Sequence, residues 1–134
     1  MEQTRFEQGI EQLRKIDGVG GENVIKSLAD VAPDVGKYII EFAFGDIYPR
    51  KELSLQEREM ITITSLLTAG GCEPQLEVHI NGSLNVGIAP EKIIETFIRE
   101  FDSCIFKKHL AGRIKPAFFV STFLFLGMLF YVIV

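Results

Sequence analysis

The feature that most constrains this chain is a pair of helix patterns joined at Gly70-Gly71. Ser54-Leu55-Gln56-Glu57 is a capping box, with Ser54 as the cap and Glu57 at the third helical position. The helix it opens is apolar nearly all round from Met60 to Leu67, which predicts a place at the centre of a bundle. A second helical pattern runs from about Pro74 to Val86, where Gly87 supplies a left-handed stop and Ile88 can pack back on the turn. A connection this short folds one helix back antiparallel to the other. The expected fold is all-α, a helical bundle around an antiparallel helical hairpin.

The flanking segments agree. Phe6, Ile10, Leu13 and Ile16 recur at helical spacing and end at Asp17-Gly18, a helix with a clear stop signal. Gly20-Gly21 reads as a hinge, followed by a short helix carrying Val24, Ile25, Leu28 and Ala29. Pro33 fits the first turn of a third helix whose inner face is read as Val35, Ile39, Phe42 and Ala43, ending at Gly45. Pro90 begins a last helix with Ile93, Ile94, Phe97 and Phe101 inward. No segment alternates as a strand does.

Charge narrows the function classes. The chain has 134 residues, the length of one domain, with 14 basic and 18 acidic side chains. Residues 1–102 hold all 18 acids and ten of the bases, a net −8, which argues against a nucleic-acid partner. The first 30 residues are charged and helical in pattern, unlike a signal peptide. Two cysteines, Cys72 and Cys104, form neither a disulfide framework nor a metal spacing, so a cytoplasmic setting is the default. There is no phosphate loop, zinc motif or Ser-His-Asp arrangement.

The hairpin carries the groups that do chemistry. Cys72, Gln75 and His79 recur at i, i+3, i+7 and would share one face of a continuous helix, opposite Glu59 on the preceding one. A carboxylate facing an imidazole is a common means of moving protons near neutral pH. Each group also has a plainer reading. A histidine flanked by Leu76, Val78 and Ile80 more often fills a core or an interface, and acids near a helix start commonly serve the dipole. Yet Glu59 enters an otherwise apolar helix, where a carboxylate must find a partner or a proton, and His79 is the natural candidate. Arg58 points about 100° away from Glu59, toward a salt bridge or a subunit contact. Cys72 reads first as a small buried thiol.

These residues also carry a resemblance. Arg58-Glu59-x-x-Thr62-Ile63, then Gln75-Leu76-x-x-His79-Ile80-Asn81-Gly82-x-Leu84-Asn85-x-Gly87, resembles the carboxymuconolactone decarboxylase family, as does the run from Ala32-Pro33-Asp34 to Ile47-Tyr48. The likeness covers about residues 5–98. It implies the alkylhydroperoxidase D-like fold, a homo-oligomer (trimer or hexamer) and cofactor-free decarboxylation of a small lactone or carboxylic acid. In that reading Glu59 and His79 are catalytic and Gln75 holds a substrate oxygen. The related alkylhydroperoxidase D-like proteins carry C-x2-C-x3-H and use both thiols. Here Gln75 stands in place of the second cysteine, so a thiol oxidoreductase using Cys72 is the alternative, and a non-catalytic oligomeric binding protein is a third. Asn81 and Asn85 read as structural.

The resemblance stops near Arg99. Residues 1–101 are expected to form the helical domain and 102–134 a divergent segment. Residues 103–134 hold four bases and no acid, and 117–134 are 18 residues without a charge, five of them phenylalanine. Three accounts stand open: a C-terminal membrane anchor with the body in the cytoplasm, a changed reading frame that replaced the family's last helix, or a buried helix covered within an oligomer.

Overall fold

The computed structural model describes the backbone of residues 3–111 and the side chains of residues 3–100. The described residues form helices α1 (Arg5–Ile16), α2 (Gly18–Leu28), α3 (Pro33–Tyr38), α4 (Leu55–Ala69), α5 (Glu73–Asn85) and α6 (Pro90–Ala111), and α3 continues as a π-helical segment, Ile39–Ile47. Among them there is no strand, so the all-α expectation holds. The anchor reading, Phe101 and Cys104 lie outside the described side chains. Among the described residues no helix is long and apolar enough to cross a membrane.

The central hairpin forms as its signals require. Ser54 Oγ accepts from the Glu57 N–H while the Glu57 carboxylate takes the Ser54 N–H at 2.7 Å, a complete capping box. At the far end Gly70 and Gly71 both adopt positive φ, and α5 starts two residues later. Gln56 Nε2, at the start of α4, donates to Val86 O beyond the end of α5, so the helices run antiparallel. Gly87 at φ +87° closes α5 with both bonds of a Schellman turn, Gly87 N–H to Leu84 O and Ile88 N–H to Ser83 O. Ile88 then buries in the core formed by Ile63, Leu76, Ile80, Ile93 and Phe97 of α4, α5 and α6.

Three expectations need correction. First, Gly20 and Gly21 are not a hinge, because α2 already begins at Gly18 and runs through both. Gly21 is buried where a Cβ would sit 2.7 Å from Asp17 Cβ, so its role is close packing at the α1–α2 turn. Second, Ile39 and Ala43 do pack on the core, but the buried residues of the third helix are Ile40, Phe44 and Gly45, and Val35 and Phe42 are exposed. The π-helical bonding, i to i+5, widens the turn and rotates the face away from the 3.6 period assumed in reading it. Third, α4 is not enclosed all round. Only Glu59 and Ile63 are buried, Ile61 is exposed, and Thr62, Thr64, Ser65 and Thr68 each return a hydroxyl bond to the carbonyl four residues back.

A second core, Leu13 and Ile16 of α1 with Phe44, lies where α1 packs along the π segment. The two backbones touch: a Cβ at Gly9 would fall 2.1 Å from Ile40 O, and one at Gly45 would fall 2.7 Å from Arg5 O. Phe6, part of the helical apolar pattern, is 40% exposed, and Gly9 makes the contact with Ile40. The functional groups lie at the seam between the two cores.

Candidate active site

Different elements deliver the groups at that seam. The π segment ends with the Tyr48 N–H bonded to Ala43 O, and the Tyr48 ring stacks on Phe44 with centroids 4.8 Å apart. This fixes the Tyr48 hydroxyl, which donates to Glu59 Oε1 at 2.7 Å. Glu59, in the second turn of α4, has 0% exposure. Its other oxygen, Oε2, lies 2.9 Å from His79 Nδ1 on α5. The expected Glu59–His79 pair is therefore made.

With Glu59 as a carboxylate, Nδ1–H donates to it, which sets the tautomer and leaves Nε2 as the working nitrogen. The His79 side chain is 21% exposed, and no hydrogen bond among the described residues occupies Nε2. Burial depresses the basicity of the ring, but the Glu59 hydrogen bond and charge, with the charge of Asp17, outweigh it and raise the His79 pKa. Burial and the neighbouring Glu59 charge push the Tyr48 phenol upward, so it stays a donor.

Two members were not assigned by reading the sequence. Tyr48 was only part of a matched run. Asp17 reads in the sequence as a helix stop, and it does cap α1, with its N–H bonded to Leu13 O. Its side chain, however, is turned into the seam, with the residue 6% exposed and Oδ1 buried without a hydrogen-bond partner. Burial raises its pKa from 3.8 to about 6, with His79 opposing and Glu59 adding to the rise. Gly82, one turn beyond Val78 on α5, makes room for both acids: a Cβ there would lie 2.7 Å from Asp17 Oδ1 and 3.2 Å from Glu59 Oε2. Only the Gly in Asn81-Gly82-Ser83 hinted at this crowding.

The other predicted residues stand further off. Gln75 is exposed in the first turn of α5, one turn before His79, and makes no hydrogen bond to Glu59 or His79. Cys72 is a free, half-buried thiol at the N-cap, outside the helix, so the shared-face expectation fails for it. Its Sγ contacts Gly70 O at 3.5 Å. Arg58 forms no salt bridge among the described residues; its Nη2 donates to Arg50 O at 3.0 Å. Asn85 Nδ2 donates to Ile16 O at 2.8 Å, tying α5 to the end of α1 beside Asp17. Asn81 only returns a bond to Glu77 O.

Asp17, Glu59 and His79 are also the described groups nearest to a metal-ligand set, with donor atoms all within 4.8 Å of one another. Ligands at the usual ~2.0–2.2 Å from zinc sit roughly 3.3 Å apart in a tetrahedron. The wider spread here, with Glu59 and His79 already bonded to each other, suits a shared proton better. A groove of about 460 Å³ between Leu53, Met60, Ile61, Ile88 and Lys92 does not include any of these three groups.

The arrangement is thus a buried carboxylate, held by a phenol, that orients a partly exposed imidazole through its inner nitrogen. The chain is 28% identical over 98 residues to 4-carboxymuconolactone decarboxylase of Acinetobacter baylyi, a match covering 72% of each protein. It is also 28% identical over 89 residues to Peroxisomal protein 2 of Saccharomyces cerevisiae, covering 66% of this chain but only 31% of the yeast protein. Residues 33–101, which carry Tyr48, Glu59 and His79 but not Asp17, match the Carboxymuconolactone decarboxylase family, and on that match the chain belongs to this family.

Proposed function

We propose that this protein is a cofactor-free decarboxylase of a small lactone or carboxylic acid, with His79 as the proton donor. The observation that carries the reading is the Tyr48–Glu59–His79 chain, which orients the ring through Nδ1 and leaves Nε2, on a side chain 21% exposed, without a hydrogen bond among the described residues. When the substrate C–C bond breaks, CO2 departs and its bonding pair remains as an enolate-like carbanion. Protonated His79 delivers Nε2–H to that carbon and is reprotonated from solvent. General acid catalysis of this kind contributes typically ~10²–10⁴-fold. Glu59 holds the ring through Nδ1, and its charge stabilises the imidazolium. Gln75, four residues before His79 on α5, is a neighbour on that helix and offers an amide for a substrate oxygen without competing for the proton. The similarity to 4-carboxymuconolactone decarboxylase of Acinetobacter baylyi supports a carboxymuconolactone-like substrate.

The thiol oxidoreductase reading has less support. Cys72 lacks a hydrogen bond to His79 or Glu59, and its thiol lies against Gly70 O. The test is CO2 release from 4-carboxymuconolactone by the full chain. His79→Asn is expected to lose at least ~10²-fold in kcat, and Cys72→Ser to lose little. Retained turnover in His79→Asn, or abolition by Cys72→Ser, overturns the assignment.

Self-association is part of the same reading. Val35, Tyr38 and Phe42 of α3 and the π segment are 45%, 64% and 60% exposed, and Val31 in the turn before them is 83% exposed, an apolar stripe suited to a second copy of the chain.

A further inference from the structure

Two carboxyl groups and one imidazole share the buried space around Gly82. With both acids ionised and His79 protonated, the cluster would carry a net negative charge, and Asp17 Oδ1 would face it without a donor. An unpaired buried charge is expensive. The groups that act on Asp17 are Glu59 from α4, His79 from α5 and Tyr48 from the end of the π segment; Leu13 and Gly21 close the rest of its surroundings. Nothing in the Tyr48–Glu59–His79 relay requires Asp17. Yet the chain turns it inward at the α1–α2 junction and keeps glycines at positions 21 and 82 against it.

We propose that Asp17 is a positioning residue of this site, whose carboxyl group, lodged against Gly82 beside Glu59 and His79, sets the charge carried by the imidazole. When Asp17 is ionised, a second negative charge beside Glu59 holds the proton on His79. When Asp17 is protonated, that hold weakens, while Glu59 still orients the ring. The consequence for catalysis rests on the proton-donor reading of His79, but the coupling between Asp17 and His79 does not.

The test is NMR titration of the full chain, following the Asp17 carboxyl carbon and the His79 ring nitrogens. The chain has two histidines, and His79→Asn identifies the signal. In the wild type, the Asp17 midpoint is expected near pH 6, with an inflection in the His79 shifts at the same pH. In Asp17→Asn that inflection should vanish and the proton affinity of His79 should fall by about tenfold, the usual scale for removing one charge at this range. An Asp17 midpoint at the ordinary carboxyl value, with a single His79 inflection, overturns the proposal, and this wild-type measurement stands even if Asp17→Asn does not fold. Asp17 and His79 signals that move together only on adding zinc would also overturn it, making the cluster a cation site. Turnover separates the two claims. If the lactone is a substrate, Asp17→Asn should move the alkaline limb of the kcat profile to lower pH; if no lactone turns over, the activity reading falls while the titration still decides the role of Asp17.

Discussion

Replacing Tyr48 with phenylalanine removes one oxygen and leaves the rest of the site in place. The phenylalanine ring can keep the stack on Phe44, so the apolar contribution is unchanged. What disappears is the donor 2.7 Å from Glu59 Oε1, on a carboxylate with 0% exposure that water does not reach to compensate. Hydrogen bonds to charged groups contribute about 1.5–3 kcal/mol, and the loss lies toward the upper end when the partner stays buried and unsatisfied. The expected cost of Tyr48→Phe is therefore about 2–3 kcal/mol near neutral pH, a large share of the ~5–15 kcal/mol that stabilises a typical domain.

Urea unfolding followed by circular dichroism gives this as a lower midpoint with an unchanged slope. The decisive measurement is a double-mutant cycle with Glu59→Gln. Against a neutral amide the same hydroxyl contributes only about 0.5–1.5 kcal/mol, so a coupling of about 1–2 kcal/mol is expected between the two positions. An equal loss in both backgrounds would mean that the Tyr48 hydroxyl acts independently of the Glu59 charge. A Tyr48→Phe protein as stable as the wild type would refute the buried charge itself.

The remaining expectations use other parts of the site. Asp17 and His79 are both shifted upward, so each contributes stability that is complete below its unfolded pKa and lost as pH rises through its folded one, from 3.8 to about 6 for Asp17 and above 6.5 for His79. The Asp17 shift corresponds to roughly 3 kcal/mol, so the stability of Asp17→Asn relative to wild type should improve by about that much between pH 4 and 7.5; a flat difference would contradict it. Gly82→Ala adds a methyl 2.7 Å from Asp17 Oδ1. The helix gains at most about 1 kcal/mol, and overpacking costs ~1–3 kcal/mol, so chemical unfolding should find a net loss, and a gain in stability would contradict the crowding. Phe42→Glu, at an exposed position, should lower the mass seen by light scattering while leaving the unfolding midpoint of the subunit nearly unchanged; an unaltered mass removes the stripe from the contact.

Much of the fold was legible because its signals are local. The Ser54–Glu57 box, the Asp17-Gly18 stop and the Gly87–Ile88 turn each act within a few residues, and each forms as read. The third helix departs from its sequence pattern because i-to-i+5 bonding re-phases its face, and α1 packs on that face with Gly9 against Ile40, a contact between distant segments. The site divides the same way. Glu59 and His79 lie on neighbouring helices of one hairpin, and their pairing could be inferred from it. Tyr48 needs the re-phased π segment to reach Glu59. Asp17 lies in a sequence that any helix end would use, and only the crossing of α1, α2 and α5 turns it inward. Gln75 and Cys72 were grouped with His79 on the assumption of one continuous helix, but α5 begins at Glu73 and leaves Cys72 outside.

That Glu59 persists in a dry position is itself informative. A buried ion pair is often no more stabilising than well-packed apolar side chains of the same volume, so stability alone gives no reason for an acid there. Its neighbours Ile63, Leu76 and Ile80 show that the surrounding seam can be filled with hydrocarbon. The chain instead commits Tyr48 and His79 to satisfying that one carboxylate, and adds Asp17, whose burial opposes its own ionisation. Each of these groups is held by a different element, so the cost is distributed over the whole bundle. Such an arrangement weakens the fold where it fixes the proton, which is the balance expected of a site maintained for its chemistry rather than for its packing.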